Sequence, residues 1–272
     1  IKTFYFKANL DIDVTDAVRL RGNAGVQYIR TEQSSEGVYF DPTGIHVGKA
    51  GASYGDILPS LNLVFDFGNA WNVRFGAAKE LMRPRINDMG AYASVALSDG
   101  TNPPGPRVWS GNGGNPALEP YRASSVDLSI EKYFGSASYI ALAAFYKDLD
   151  SYIYTRTIPW NFAGYDYEGA PPSSDWGEFS TPANGTGGYM RGLEFSTVLG
   201  GDLISPSLDG FGLLVNASYT DSSIDPDGPD QGSSTDTFPG LSKIVANATV
   251  YYEKHGFSAR ISQRYRDKYR GE

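Results

Sequence analysis

The sequence predicts an all-β fold in which about ten meandering strands form part of an antiparallel transmembrane β-barrel. Three observations support this: segments of about a dozen residues alternate apolar and polar side chains, tight turns alternate with long loops, and aromatic residues make up 14% of the chain. Strands that cross a membrane alternate in this way because one face meets lipid and the other meets the lumen. The alternative, a soluble β-sandwich, usually has strands of about five to six residues.

The first hairpin shows the alternation most clearly. Phe6, Ala8 and Leu10 share one parity, and Lys7 and Asn9 share the other. A second alternating strand follows a tight turn, so the two strands are predicted to pair with one apolar face. The same unit is predicted four more times, with strands near 54–66 and 71–83, 122–133 and 139–156, 187–199 and 211–222, and 241–253 and 256–268. Residues 139–145 are apolar on both faces, so the sequence leaves their outer side undecided.

The connections between the predicted strands alternate in length. The short ones are 15–17, 67–70, 135–138 and 253–256, and the long ones lie near 33–53, 84–121, 157–186 and 223–240. Outer-membrane barrels place short turns in the periplasm and long loops outside the cell. The connection near 200–210 is longer than its periplasmic place predicts.

The composition permits this fold and argues against several other classes of protein. The 272 residues contain no Cys, which excludes disulfides, thiolate metal sites and a cysteine nucleophile. The formal net charge of −8 argues against a nucleic-acid partner, because nucleic-acid binding requires a basic surface. No segment approaches the roughly 18 apolar residues that a membrane-spanning helix needs.

Five sequence blocks resemble one family. Residues 114–134 read GNPALEPYRASSVDLSIEKYF, which resembles the segment with which TonB-dependent receptors enter a barrel strand after a long outer loop. Blocks resembling the same family, in the same order, occupy 54–84, 139–153, 188–196 and 241–266. The chain is most similar to a subgroup from Caulobacter-type bacteria, in which carbohydrate uptake recurs alongside uptake of iron chelates.

The resemblance implies a transporter of the bacterial outer membrane and not an enzyme. It implies import of a scarce solute, such as a carbohydrate or an iron–siderophore complex, with energy from a TonB-type complex and without a cofactor. The family's N-terminal plug, its TonB-contacting box and its final strands have no counterpart in residues 1–272. The chain is therefore expected to be roughly half of a barrel of about 22 strands, in contact with outer-membrane lipid. A passive porin and a soluble β-rich binding or adhesion module remain as alternatives.

Two groups of residues are candidates for the functional site. Charged residues on strands are predicted to face the lumen, either as ion pairs or along a substrate path: Arg74, Asp127, Glu194, Arg260 and Arg264. Residues of the long loops are predicted to contact the solute, because flat rings stack on sugar faces and shield apolar chelates: Arg107, Trp109, Trp160, Tyr165, Tyr167 and Trp176. The alternatives for the rings are an interfacial aromatic girdle and loop packing, although the Gly, Pro and Ser residues of 157–186 are not expected to form a core of their own.

Catalysis and metal binding have little support. His46 lies in a long loop and His255 in a tight turn, and the carboxylates on strands share the polar parity. Residues 225–230, DPDGPD, look like a calcium loop but lack the spacing and the closing Glu of an EF-hand. The sequence therefore favours a flexible acidic outer loop there, with no catalytic residue and no metal site.

Overall fold

A computed structural model describes residues 1–41, 44–101, 105–135, 137–224 and 237–271, except for the side chains of 40 and 41. It contains twelve strands in these ranges: β1 (Lys2–Thr15), β2 (Val18–Asp41), β3 (Gly44–Asp66), β4 (Trp71–Met82), β5 (Ala93–Leu97), β6 (Trp109–Gly113), β7 (Tyr121–Phe134), β8 (Ser138–Asn161), β9 (Trp176–Gly200), β10 (Phe211–Ile224), β11 (Ile244–Lys254) and β12 (Phe257–Arg266). None of the described residues belongs to a helix long and apolar enough to cross a membrane.

Ten of these strands form one antiparallel meander in the order β1-β2-β3-β4-β7-β8-β9-β10-β11-β12. Each of them overlaps one of the ten predicted strands, so the all-β barrel-type fold is confirmed. Strands β5 and β6, within the predicted loop 84–121, were not predicted. Within the described ranges, β1 pairs only with β2 and β12 only with β11, and the sheet is therefore open.

The register gives the sheet two consistent faces. One row runs Phe75, Leu128, Ala144, Leu193, Tyr219 and Ile244 across six neighbouring strands. This row places Leu142 and Ala144 on the face that carries Leu128 and Ile130, which settles the segment that the sequence left undecided. Leu142 and Leu193 are each 53% exposed, so no other described residues cover this apolar face.

Tight turns at one end of the sheet fix this register. In the last hairpin Lys254 pairs with Phe257, and the two residues between them, His255 and Gly256, have φ of 53° and 80°. Positive φ at both central positions is the geometry of a type I′ turn, whose twist matches that of the strands it joins.

The unusual connection near 200–210 is compact. It folds into two short 3₁₀ turns, Gly201–Leu203 and Pro206–Leu208. Its Asp209 lies 2.9 Å from the Lys254 ammonium. The hydrogen bond from Lys254 holds the pKa of the Asp209 carboxyl below its usual value. The extra length therefore packs against the neighbouring turn.

Two of the predicted outer loops are largely strand. The β2–β3 ladder runs without a break from Arg19–Asp66 to Asp41–Gly44, and the β8–β9 ladder reaches Asn161–Trp176. The prediction that 33–53 and most of 157–186 are long loops between strands was wrong. Both segments are rich in Gly and Ser, which hides the alternation, yet an extended hairpin satisfies its own backbone hydrogen bonds in water.

Candidate functional site

Three outer segments meet at the long-loop end of the sheet, and we call them the mouth assembly. They are the described outer ends of β2 and β3, the paired strands β5 and β6, and the outer ends of β8 and β9 with their connecting residues 162–175. Among the described residues the β9–β10 ladder ends at Gly188–Ile224, so β10 does not pair there with the outer part of β9. Strand β6 pairs in parallel with this outer part of β9, and its Gly111 pairs with Phe179.

Glycine makes the approach of β6 to β9 possible. A Cβ on Gly111 would lie 2.5 Å from the Phe179 ring, and one on Gly177 would lie 2.2 Å from the Trp109 carbonyl oxygen. Side chains at these positions would push the two strands apart. Gly111 therefore lets the backbone of β6 pack against the Phe179 ring, and Gly177 lets β9 approach the backbone of Trp109.

An aromatic cluster holds the mouth assembly together. Trp109, Phe162 and Phe179 are buried at its centre. Trp109 stacks on Phe162 with ring centroids 5.6 Å apart, and Tyr165 lies 6.3 Å from Trp109. Partly buried residues that pack against the centre include Ile45, Val95, Ile158 and Trp160. Residues 157–186 supply Phe162 and Phe179, and Trp109 of β6 completes the cluster, which agrees with the expectation that this segment forms no core of its own.

The predicted ligand residues therefore divide into two groups. Trp109, only 5% exposed, and its neighbours Trp160 and Tyr165 belong to the cluster. Tyr167 lies edge-on to Trp109, with ring centroids 6.2 Å apart, but is 48% exposed, and Trp176 is 59% exposed. Only the last two present large ring surfaces to the outside.

Arg107 connects two segments of the mouth assembly by hydrogen bonds. Its guanidinium donates hydrogen bonds to the carbonyl oxygens of Ser98 and Glu168, each at 2.9 Å, and to that of Ala170. These bonds tie the 162–175 connection to the paired strands β5 and β6, since Ser98 directly follows β5.

The segment 114–120, with the sequence GNPALEP, attaches the mouth assembly to the rest of the sheet. Leu118 is fully buried, and its carbonyl accepts a 2.6 Å hydrogen bond from the Gln33 side chain of β2. On the other side, Asn184 of β9 exchanges two 2.9 Å hydrogen bonds with the backbone of Glu119. This segment enters β7 after a long outer loop, as the sequence blocks implied, and it links β2 to β9 on the way.

The five charged residues on strands share the polar face of the sheet. Arg74, Ser129, Ala143 and Glu194 lie in one cross-strand row, and the same parity carries Asp127, Arg260 and Arg264. Arg74 pairs with Glu131 at 2.7 Å, and Arg260 pairs with Glu253 at 3.3 Å. That this face lines a lumen stays a prediction.

A concave cavity of about 380 Å³ lies in the middle of this polar face. Arg74, Asp127 and Glu194 all line it, beside the Phe145 ring. A Cβ on Gly192 would lie 2.7 Å from that ring, so Gly192 gives Phe145 its place on the wall. Three residues predicted independently from three strands thus meet at one site.

A second cavity, of about 570 Å³, was not predicted from the sequence. It lies where β4 ends and β7 begins, beside residues 152–155 of β8, and its lining includes Arg83, Arg85, Tyr121, Tyr152 and Phe238. Burial, with smaller contributions from Tyr152 and Asp88, raises the pKa of the Tyr121 hydroxyl. Its residues come from six separate segments, so no local pattern in the sequence could have revealed it.

The two histidines do not form a catalytic or metal site in the part of the chain that the structure describes. His46 packs beside Tyr39 with ring centroids 5.5 Å apart, and His255 sits in its turn. No group of three or more metal-binding side chains occurs among the described residues. The acidic stretch 225–230 lies outside them.

Comparison with known proteins identifies a family that matches the whole chain. The family model described as TonB dependent receptor-like, beta-barrel, matches residues 1–272. No curated protein matches the chain.

Solved structures share the fold at low sequence identity. A mutant of the ferric enterobactin receptor PfeA from Pseudomonas aeruginosa, in complex with enterobactin, aligns over 97% of this chain and 32% of its own, with 16% identity and a TM-score of 0.62. The siderophore receptor PirA from Acinetobacter baumannii aligns over 92% and 31%, with 16% identity and a TM-score of 0.58. The copper transporter OprC aligns over 96% and 34%, with 12% identity and a TM-score of 0.56. The chain thus spans about a third of the length of these proteins.

Proposed function

The chain belongs to the family of TonB-dependent receptor-like β-barrels, and on this premise we propose that it is part of the wall of an energised importer in the bacterial outer membrane. The observation that carries the proposal is the family match over residues 1–272, on a meander whose two faces keep their parity through ten strands. The members of this family are transporters of the outer membrane and not enzymes.

The imported solute is scarce and is captured at the outer end of the wall. Two solute classes fit, a carbohydrate and an iron–siderophore complex. PfeA and PirA are siderophore receptors, which supports the second class. The mouth assembly supports capture of either class, since Tyr167 and Trp176 offer exposed rings on a base made rigid by Trp109, Trp160, Tyr165 and Arg107.

The polar face of the sheet lines the lumen in this proposal. Arg74, Asp127, Glu194, Arg260 and Arg264 then face water or a plug domain, through which a TonB-type complex delivers energy. The apolar face meets outer-membrane lipid, which agrees with the exposure of Leu142 and Leu193. Residues 1–272 make up a part of the barrel domain, with the plug and the final strands supplied by other parts of the protein.

A passive porin is the alternative, and uptake measurements distinguish the two. The full-length protein would be produced in cells that lack their own copy, and uptake of radiolabelled iron(III) chelates and oligosaccharides would be followed. We expect uptake of at least one solute from dilute solution to stop when a protonophore collapses the proton gradient. Uptake that continues undiminished would identify a passive channel and refute the importer.

A further inference from the structure

The long connection between β9 and β10, residues 201–210, exposes large apolar side chains. Ile204 is 79% exposed, and Leu203 and Leu208 are exposed in the same two 3₁₀ turns. The tight turns 16–17 and 255–256, at the same end of the sheet, contain no large apolar residue. Exposed apolar side chains that lie together mark a surface that meets a partner or a membrane, whereas scattered ones need no explanation.

Both ends of this connection are tied to the apolar face of the sheet. At its start, the Gly200 N–H donates to the Ser138 hydroxyl at 2.9 Å, and Ser138 has the same parity as Leu142 in β8. At its end, the Asp209 carboxylate lies 2.9 Å from the ammonium of Lys254, which has the apolar parity in β11. Since side chains of one parity share one face of a sheet, the connection lies toward the apolar side and not over the polar one.

A row of aromatic rings borders the connection on the same face. Phe211 pairs with Tyr252 across β10 and β11, with ring centroids 4.7 Å apart, and Tyr252 lies 6.1 Å from Phe257. Aromatic belts of this kind lie at the level of the lipid headgroups in membrane proteins. Because Phe211 directly follows Gly210, the connection is continuous with this belt.

The connection also satisfies polar groups of its own backbone. The N–H groups of Ile204 and Ser205 both donate to the Gly201 carbonyl at 3.0 Å, and the Leu208 N–H donates to the Ser205 carbonyl at 2.9 Å. The Ser205 and Ser207 hydroxyls bond each other at 2.9 Å. Backbone groups without partners are costly to bring toward hydrocarbon, so these bonds lower the cost of moving the connection into the edge of a bilayer.

We propose that residues 201–208 are an interfacial anchor, in which Leu203 and Ile204 insert between the headgroups and acyl chains of the periplasmic leaflet. Lipid fits this surface better than a protein partner does, because the surface continues the apolar face and its aromatic belt. Lys254 suits the same place, since a lysine can keep its ammonium at the headgroups while its stem lies on apolar surface. The anchor accounts for the extra length of this connection, and it is independent of which solute is imported.

Spin labels on the full-length protein in phospholipid vesicles test the anchor. A label is placed at Ile204→Cys, with any other cysteine changed to serine, and its accessibility to oxygen and to a water-soluble nickel chelate is measured. Oxygen concentrates among acyl chains and the chelate stays in water, so the ratio of the two reports depth. We expect the label to lie about 5–10 Å inside the membrane surface. The references are Leu193→Cys on the apolar face and Asp16→Cys in a tight turn at the same end.

A second pair of variants tests the contact that holds the connection on the apolar side. Adding Asp209→Asn to the labelled protein removes the ion pair with Lys254, and the nickel accessibility at position 204 should rise about twofold, as expected for loss of one exposed ion pair. The matched control is Asp202→Asn, which removes an exposed carboxylate from the same connection and should leave the accessibility unchanged. Circular dichroism checks that each variant keeps its strands.

Three results would overturn the inference. Nickel accessibility at position 204 equal to that at position 16 would place the connection in water. An immobile label shielded from both oxygen and nickel would place it against protein, and an equal shift in the Asp209 and Asp202 variants would refute the role of the ion pair. None of these bears on energy coupling, since depth is measured without a proton gradient. Conversely, gradient-independent uptake would refute the importer while leaving the anchor intact.

Discussion

Replacing Trp109 with Ala should open the mouth assembly without weakening the membrane-spanning part of the sheet. Trp109 is 5% exposed and contacts Phe162, Tyr165 and Tyr167 through its ring. Loss of a buried Trp costs about 3–5 kcal/mol. Since about 1.4 kcal/mol is a factor of ten, local opening should become roughly a hundred to several thousand times more frequent.

Hydrogen–deuterium exchange of the full-length protein in detergent measures this opening. Backbone amides of β5 and of the β9 residues that pair with β6 should lose protection by that factor, or exchange freely if their protection is smaller. Amides of 126–130, in the middle of the sheet, should exchange as in the parent. Trp109→Phe should be nearly neutral, because the buried Trp109 Nε1 has no hydrogen-bond partner among the described residues.

The matched control is Trp176→Ala, since Trp176 is 59% exposed and lies at the start of the same strand that β6 pairs with. It should change protection by less than tenfold. Equal loss of protection in the two variants, or no loss in Trp109→Ala, would refute the aromatic cluster as the support of the mouth assembly.

Further predictions follow from the same structure. Cysteine at the exposed Ser174 should react with an impermeant thiol reagent on whole cells and cysteine at Asn69 should not; labelling of both would contradict the orientation of the sheet. The double variant Tyr167→Ala/Trp176→Ala should weaken solute capture about tenfold, from about 0.5–1.5 kcal/mol for each stacked ring, at normal levels in the membrane. Because Lys254 lowers the pKa of Asp209, their contact is present at neutral pH and is lost as the pH falls through that lowered value. The protection factors of the amides of 201–208, corrected for the slower intrinsic exchange in acid, should therefore fall in acid, and Asp209→Asn should show the lower protection at neutral pH.

The meander could be predicted from the sequence because its signals are local. Alternation such as Phe6-Lys7-Ala8-Asn9-Leu10 fixes both the strand and its faces, and turn residues such as His255-Gly256 fix the hairpin. Where both faces are apolar, as in 139–145, the local signal fails, and only pairing with β7 decides the orientation.

The mouth assembly could not be predicted in the same way. Its key event is the parallel pairing of β6 with β9, between residues more than sixty positions apart in the chain. The aromatic residues were recognised as important from their number and setting, but the division into buried Trp109 and exposed Trp176 depends on contacts that no spacing reveals. The Arg83–Phe238 cavity was missed for the same reason, since its walls come from separate segments.

The central claim is that one face of this sheet meets lipid and the other an aqueous lumen, and adjacent arginine substitutions in β1 test it most directly. Leu10 lies on the apolar face opposite Gly22, and Asn9 lies on the polar face opposite Asn23. In the full-length protein reconstituted in lipid vesicles, Leu10→Arg should lower the free energy of unfolding by about 2–4 kcal/mol, because it buries a charge near the middle of the bilayer. Asn9→Arg should change it by less than about 1 kcal/mol, because its side chain stays in water. Equal effects of the two substitutions would contradict the assignment of the faces and, with it, the membrane-spanning wall.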